Sequence, residues 1–186
     1  IPPGLAFVCV SDKAWKAYET ATLPKFYLDL GPYRKTAAKD STPFTPPVNL
    51  FFALQAALKM MKKEGLEAIF ARHDRHRRTT RAAMKALNLP LFGADDCASP
   101  AITAVMPQGV EAEKIRSVMK KQFDIAMAGG QDHFKGKIFR VGHLGFVCDR
   151  DILTAISGLE ATLSHLGYDQ FTAGSGVNAA GEILLA

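Results

Sequence analysis

The chain has 186 residues, 48% hydrophobic and 22% charged, with a mean hydropathy of +0.02. That composition excludes long disorder and fibrous repeats, and the length suits one domain of middling size or a domain with an appendage. No apolar run approaches the roughly 20 residues of a membrane span.

The net charge of +5 has a local origin. Residues 59–85 hold nine Lys and Arg against Glu64, Glu67 and Asp74, which leaves +6 there and −1 elsewhere. Such a stretch reads as a solvated helix face or as a surface for phosphates or nucleic acid. The three cysteines, Cys9, Cys97 and Cys148, are far apart and show no CxxC spacing. That argues against a disulfide framework or a zinc site, and Cys9 and Cys148 lie in apolar runs that suggest core positions. The first residues carry no basic region or cleavage pattern, so a reducing cytoplasm is expected.

Residues 5–10 form a continuous apolar run, the pattern of a strand buried on both faces. Ser11 and Asp12 then cap a helix to about Ala21. Residues 26–30 are aromatic and irregular, Gly31-Pro32 reads as a break, and residues 35–47, with three prolines, read as a loop or extended segment. Apolar residues at helical spacing predict a helix over 48–63, stopped by Gly65, and another over 66–87. On the second, Leu66, Phe70, His73, Thr80, Met84 and Leu87 share one side; His73 is expected partly buried and His76 solvated among arginines.

Residues 90–93 and 101–106 are strand candidates, 110–123 an amphipathic helix, 125–128 a short strand, and Gly129-Gly130 a turn. Residues 137–141 predict a strand leading into Arg140. Asp149 or Asp151 caps a last helix over 150–166. The Gly- and Ala-rich tail from Phe171 is expected to be loosely packed or extended. This order favours an α+β layer: a small, mostly antiparallel sheet with helices on one face.

Phosphate loops of the GxGxxG and GxxxxGK[ST] types are absent, as are HExxH and GxSxG. Two candidates remain. Arg140 sits at a strand end before Gly142-His143-Leu144-Gly145; its guanidinium suits a carboxylate ligand or an internal ion pair with a nearby aspartate. Thr42-Pro43-Phe44-Thr45-Pro46-Pro47 ends where a helix begins. Its hydroxyls and free amides suit either a bound phosphate or a simple threonine cap.

Taken together, these segments resemble class V pyridoxal-phosphate aminotransferases of the alanine–glyoxylate and serine–glyoxylate type. Ile1-Pro2-Pro3-Gly4-Leu5-Ala6-Phe7-Val8 is similar to the stretch just after that family's cofactor lysine. Phe26-Tyr27-Leu28-Asp29 resembles its FYLD segment, and residues 42–47 its TP[FY]TP segment. Gly129-Gly130 with residues 136–145 resembles its GG and GK-RIG-LG segments. Cyanobacterial members historically labelled the small (tritium-exchange) subunit of a soluble hydrogenase look especially similar. The resemblance runs in order from residue 1 to about residue 168.

The resemblance implies a fold type I enzyme. Residues 1–65 would be the end of the large cofactor-binding domain and a linking helix. Residues 66–168 would be the small C-terminal α+β domain, and residues 169–186 a tail. It implies pyridoxal 5'-phosphate as cofactor and a homodimer with small amino acid and 2-oxo acid substrates. Arg140 would bind the substrate α-carboxylate. Thr45, from the neighbouring subunit, would hold the cofactor phosphate, and Thr42 matches a position of similar role less closely.

The family's Schiff-base lysine lies just before the PPG segment, hence before Ile1, and Lys13, Lys16 and Lys25 lack its context. The expectation is therefore the C-terminal half of a transaminase, inactive alone and completed by the N-terminal half of the same enzyme. The alternatives are a non-catalytic interaction module and, more remotely, a nucleic-acid binder through helix 66–87.

Overall fold

The structure, a computed structural model, describes residues 1–186. The chain divides into two compact units, Ile1–Gly65 and Leu66–Ala186.

The first unit is helical. Helix α1 spans Asp12–Thr20, and the Ser11 hydroxyl accepts the Ala14 N–H at 3.2 Å, as its cap position predicts. Helix α2 spans Leu30–Ala37 and contains Gly31-Pro32, which the sequence suggested as a break. Proline is harmless there because first-turn N–H groups have no helical partner. Asp29 caps this helix, accepting from Gly31 N at 2.9 Å and from the Tyr18 hydroxyl at 2.8 Å. The Gly31 amide, seconded by Tyr18, holds the Asp29 carboxyl below the ordinary aspartate range. Helix α3, Val48–Glu64, ends on Gly65 at φ 88°, a backbone region that favours glycine.

Residues 5–10 do not form the expected buried strand. They join no ladder, and Phe7 and Val8 are 73% and 66% exposed. A strand needs a neighbour to pair with, and this unit contains only helices.

The second unit comprises helix α4 (Leu66–Ala86), strand β1 (Ile102–Val105), helix α5 (Ala112–Phe123), strand β2 (Ala128–Gly129), strand β3 (Phe139–Gly142), helix α6 (Asp149–His165) and helix α7 (Ser175–Leu184). The sheet order is β1-β3-β2, antiparallel throughout. The strand expected at residues 90–93 is reduced to a single bridge, Leu91 to Val105. Strand alternation sends Thr103, Val105, Phe139 and Val141 inward. There the strand side chains Val105, Phe139 and Val141 join Met84 and Leu87, Ile115 and Met119, Ile152, Ile156, Leu159 and Leu163, and Ala180 in one core. The opposite face carries Ala104, Arg140 and Ala128 side by side.

Four further expectations differ from the structure. First, His76 is fully buried, and its Nε2 donates to Asp149 Oδ1 at 2.7 Å. The buried stripe of α4 begins at Ile69 rather than Leu66, while Leu66 and Phe70 are 58% and 59% exposed. That small rotation turns His76 inward.

Second, the arginines of this helix are not a freely solvated face. Arg72 donates to the carbonyls of Gly145 and Val147, Arg75 forks onto Asp149, and Arg81 bonds Asp95 and the Gly93 carbonyl. Burial opposes ionisation of Asp149, but the bonds from His76 and Arg75 outweigh it and lower its pKa.

Third, Cys9 and Cys148 are exposed, as is Cys97. Cys148 is the N-cap of α6, and its amide donates to Asp151 Oδ2 at 2.9 Å, so an apolar setting in sequence did not make it a core residue. Fourth, the tail is no loose extension. Helix α7 buries Gly176 and Ala180, and small residues there let it lie close against its neighbours. No helix is long and apolar enough to cross a membrane.

Candidate functional site

Arg140 stands at the centre of the open face of the sheet. Its cross-strand neighbours are Ala104 on β1 and Ala128 on β2, both with small side chains. Nε donates to the Gly129 carbonyl at 2.9 Å. The terminal nitrogens form no ion pair and no hydrogen bond within the chain, so the internal aspartate partner allowed by the sequence is not there. A guanidinium tethered at Nε and free at its fork is prearranged for a planar two-oxygen anion.

The glycine pair explains this tether. A Cβ on Gly130 would lie 2.0 Å from the Phe134 carbonyl oxygen, so only glycine fits. Its amide donates to the Ile138 carbonyl at 3.2 Å, which closes the turn from β2 back to β3. The preceding Gly129 then presents its carbonyl to Arg140. The Gly129-Gly130 motif and Arg140 form one local unit, a link that spacing alone did not disclose.

His143 follows directly on β3 and was not singled out in the sequence. It is fully buried. Its Nδ1 donates to the Pro100 carbonyl at 3.1 Å, which leaves Nε2 to accept the Thr103 hydroxyl at 2.9 Å. Burial pushes its pKa down to about 4, so the ring is neutral near pH 7. His73, half-buried as expected, accepts the Gly145 amide at 3.1 Å. With Arg72 it secures the loop that follows the site strand.

Thr42 and Thr45 belong to the first unit. The Thr42 hydroxyl donates to the Phe44 carbonyl at 2.7 Å and is committed to the turn. The Phe44 ring lies among Phe26, Tyr27 and Tyr33, with centroids 4.8–6.3 Å away, which fixes the loop. Thr45 is exposed, and its hydroxyl has no partner. The N-cap of α3 is Pro47, without a side-chain hydrogen bond, so the simple threonine cap is not formed. A free hydroxyl beside an uncapped helix N-terminus is a donor set that fits a phosphate group.

Comparisons with known proteins identify the family. Residues 2–142 match the family described as Aminotransferase class-V. A soluble hydrogenase small subunit of Synechococcus sp. (strain PCC 6716) is 76% identical over 184 residues, 99% of this chain and 48% of its own length. A serine–glyoxylate aminotransferase of Arabidopsis thaliana is 35% identical over 187 residues, 99% of this chain and 47% of its own length. A solved pyridoxamine–pyruvate aminotransferase from Mesorhizobium loti superposes with a TM-score of 0.86 at 29% identity, over 94% of this chain and 46% of that one. The chain spans about half the length of the curated relatives it matches. The sheet, its helices and the matched residues 2–142 place the chain in the class-V aminotransferase family, with the α+β small-domain fold of a fold type I enzyme.

Proposed function

We propose that the chain is the C-terminal portion of a pyridoxal-phosphate-dependent transaminase. It would move an amino group between a small amino acid, alanine or serine, and glyoxylate or pyruvate. The observation that carries this reading is Arg140: tethered through Nε to Gly129, unpaired at its fork, and set between two alanines on the open face of the sheet. Both the amino acid and the oxo acid present a carboxylate, so one guanidinium serves both half-reactions. Held there, the substrate keeps its Cα in one orientation, and orientation is a large part of the rate.

When bound, pyridoxal phosphate supplies an electron sink for the carbanion formed at that Cα. On this reading the Thr45 hydroxyl donates to the cofactor phosphate of the neighbouring subunit in a homodimer. Thr42 could join only by releasing the Phe44 carbonyl. The lysine that carries the cofactor would come from outside these 186 residues, so this chain alone would not turn over substrate. Residues 1–65 would complete the large domain, and residues 66–168 would be the small one.

The test is Arg140→Ala in the complete enzyme. Loss of the carboxylate partner should lower kcat/KM for the amino donor by about 2–5 kcal/mol of transition-state binding. An unchanged kcat/KM overturns the assignment. The name of the Synechococcus relative favours a second reading, a subunit without chemistry of its own. It expects no amino-acid turnover by the complete protein supplied with pyridoxal phosphate, and the same kinetics decide between the two.

A further inference from the structure

We propose that Arg116 and Glu113 of α5 are positioning residues, a brace that fixes β2 and through it aims Arg140. The inference rests on the carboxylate role given to Arg140 above.

Strand β2 is two residues long and pairs only with β3. An edge strand that short frays unless something holds it from the other side. Arg116 does so. Its Nε donates to the Met127 carbonyl at 2.9 Å, immediately before β2. Its Nη1 is held by both Glu113 oxygens, at 2.7 and 2.6 Å. The guanidinium fills the space beside Gly129: a Cβ there would come within 2.7 Å of Nη1, 3.0 Å of Cζ and 3.2 Å of Glu113 Oε1. The carbonyl of that same Gly129 takes the Nε–H of Arg140 at 2.9 Å.

The chain of contacts is therefore continuous. Glu113 orients Arg116, Arg116 holds residues 127–129, and Gly129 orients Arg140. It also assigns a reason to the first glycine of the pair, since any side chain there would displace the brace. Because Glu113 occupies Nη1 of Arg116, this second guanidinium acts through Gly129 and is not proposed as a second carboxylate site.

The experiment compares Arg116→Met, Arg116→Lys and Glu113→Gln with the parent in the complete enzyme. The Arg140 Nε–H signal in a 15N-labelled sample is assigned by its disappearance in Arg140→Lys. In Arg116→Met, that proton should exchange with water faster, and KM for the amino donor should rise about tenfold while kcat stays within about twofold. Arg116→Lys should recover part of the KM, since one ammonium can serve the Met127 carbonyl but not hold the forked geometry. Glu113→Gln, nearly isosteric and half exposed, should shift both readouts in the same direction by less. It keeps the test decisive if Arg116→Met folds poorly.

Unchanged Arg140 Nε–H exchange in the folded variants overturns the brace. Faster exchange with KM unmoved by either Arg116→Met or Arg140→Ala leaves the brace standing and overturns the carboxylate role instead.

Discussion

A histidine three residues past the proposed carboxylate ligand is an odd choice for a core position, and its hydrogen bonds explain it. His143 ties the end of β3 to β1 twice, through Thr103 and through the Pro100 carbonyl. Burial holds the ring neutral, with the proton on Nδ1. The folded pKa of about 4 lies below the ordinary histidine value, so the unfolded chain binds the proton more readily. Stability from this group is complete above about pH 6.5 and falls as pH drops towards 4, by on the order of 3 kcal/mol as an upper bound. Urea unfolding at pH 7 and at pH 4.5 should show that decline, and His143→Gln should flatten it. A decline of the same size in His143→Gln would move its cause elsewhere. Of the site residues, Arg140 was legible because a charged side chain at the end of an apolar strand is conspicuous. His143 was not, because its burial depends on Thr103 and Pro100, some 40 residues earlier.

At the scale of elements, α7 shows how a helix can take its cap from another element. Its N-terminus has no cap of its own, since Gly174 sits at φ 85° with no side chain. Glu160 of α6 supplies one from a distance: Oε2 accepts Gly174 N at 2.9 Å, and Oε1 accepts Gly176 N at 2.7 Å and Val177 N at 3.0 Å. A carboxylate on three orphan amides also meets the positive end of the helix dipole. Glu160→Ala should cost about 1–2 kcal/mol in unfolding free energy and raise amide exchange chiefly over residues 175–184. Gly176→Ala should cost a similar amount by a different route, because a Cβ there would stand 2.9 Å from Leu87 Cγ and 2.9 Å from Glu160 Oε1. Full protection of α7 in Glu160→Ala would show that packing alone forms it. The sequence conceals this helix because two of its ten residues are glycine, which disfavours helix, and the capping group lies in another element. Helices α3 to α6, by contrast, were readable from their own spacing. Residues 5–10 depart from their strand pattern because an apolar run reports a need for burial, not whether a partner strand is present.

At the scale of the whole chain, the two units differ in how their helices are supported. In Leu66–Ala186, four helices and the inner face of the sheet enclose a core whose central side chains, Phe139 and Ile115 among them, are 0% exposed. In Ile1–Gly65 the only buried residue is Gly31. Phe7, Phe26, Leu28 and Phe52 are each more than 60% exposed. Isolated helices below about 12–15 residues are marginal in water, and α1 and α2 have 9 and 8. Aromatic contacts around Phe44, the Asp29 cap and the Arg34–Trp15 contact at 4.7 Å order this unit locally, but none removes much apolar surface from water. The 186-residue chain alone should therefore exchange its amides in two classes: rapidly over residues 12–64, and slowly in β3 and the inner faces of α4 to α6. If the first unit is the end of a larger cofactor-binding domain, the same amides should become protected in the complete protein, where Phe7, Phe26 and Phe52 would find cover. Equal protection of both units in the 186-residue chain would mean that the first unit is self-sufficient. The exposed apolar side chains would then require a different explanation from the missing remainder of a large domain.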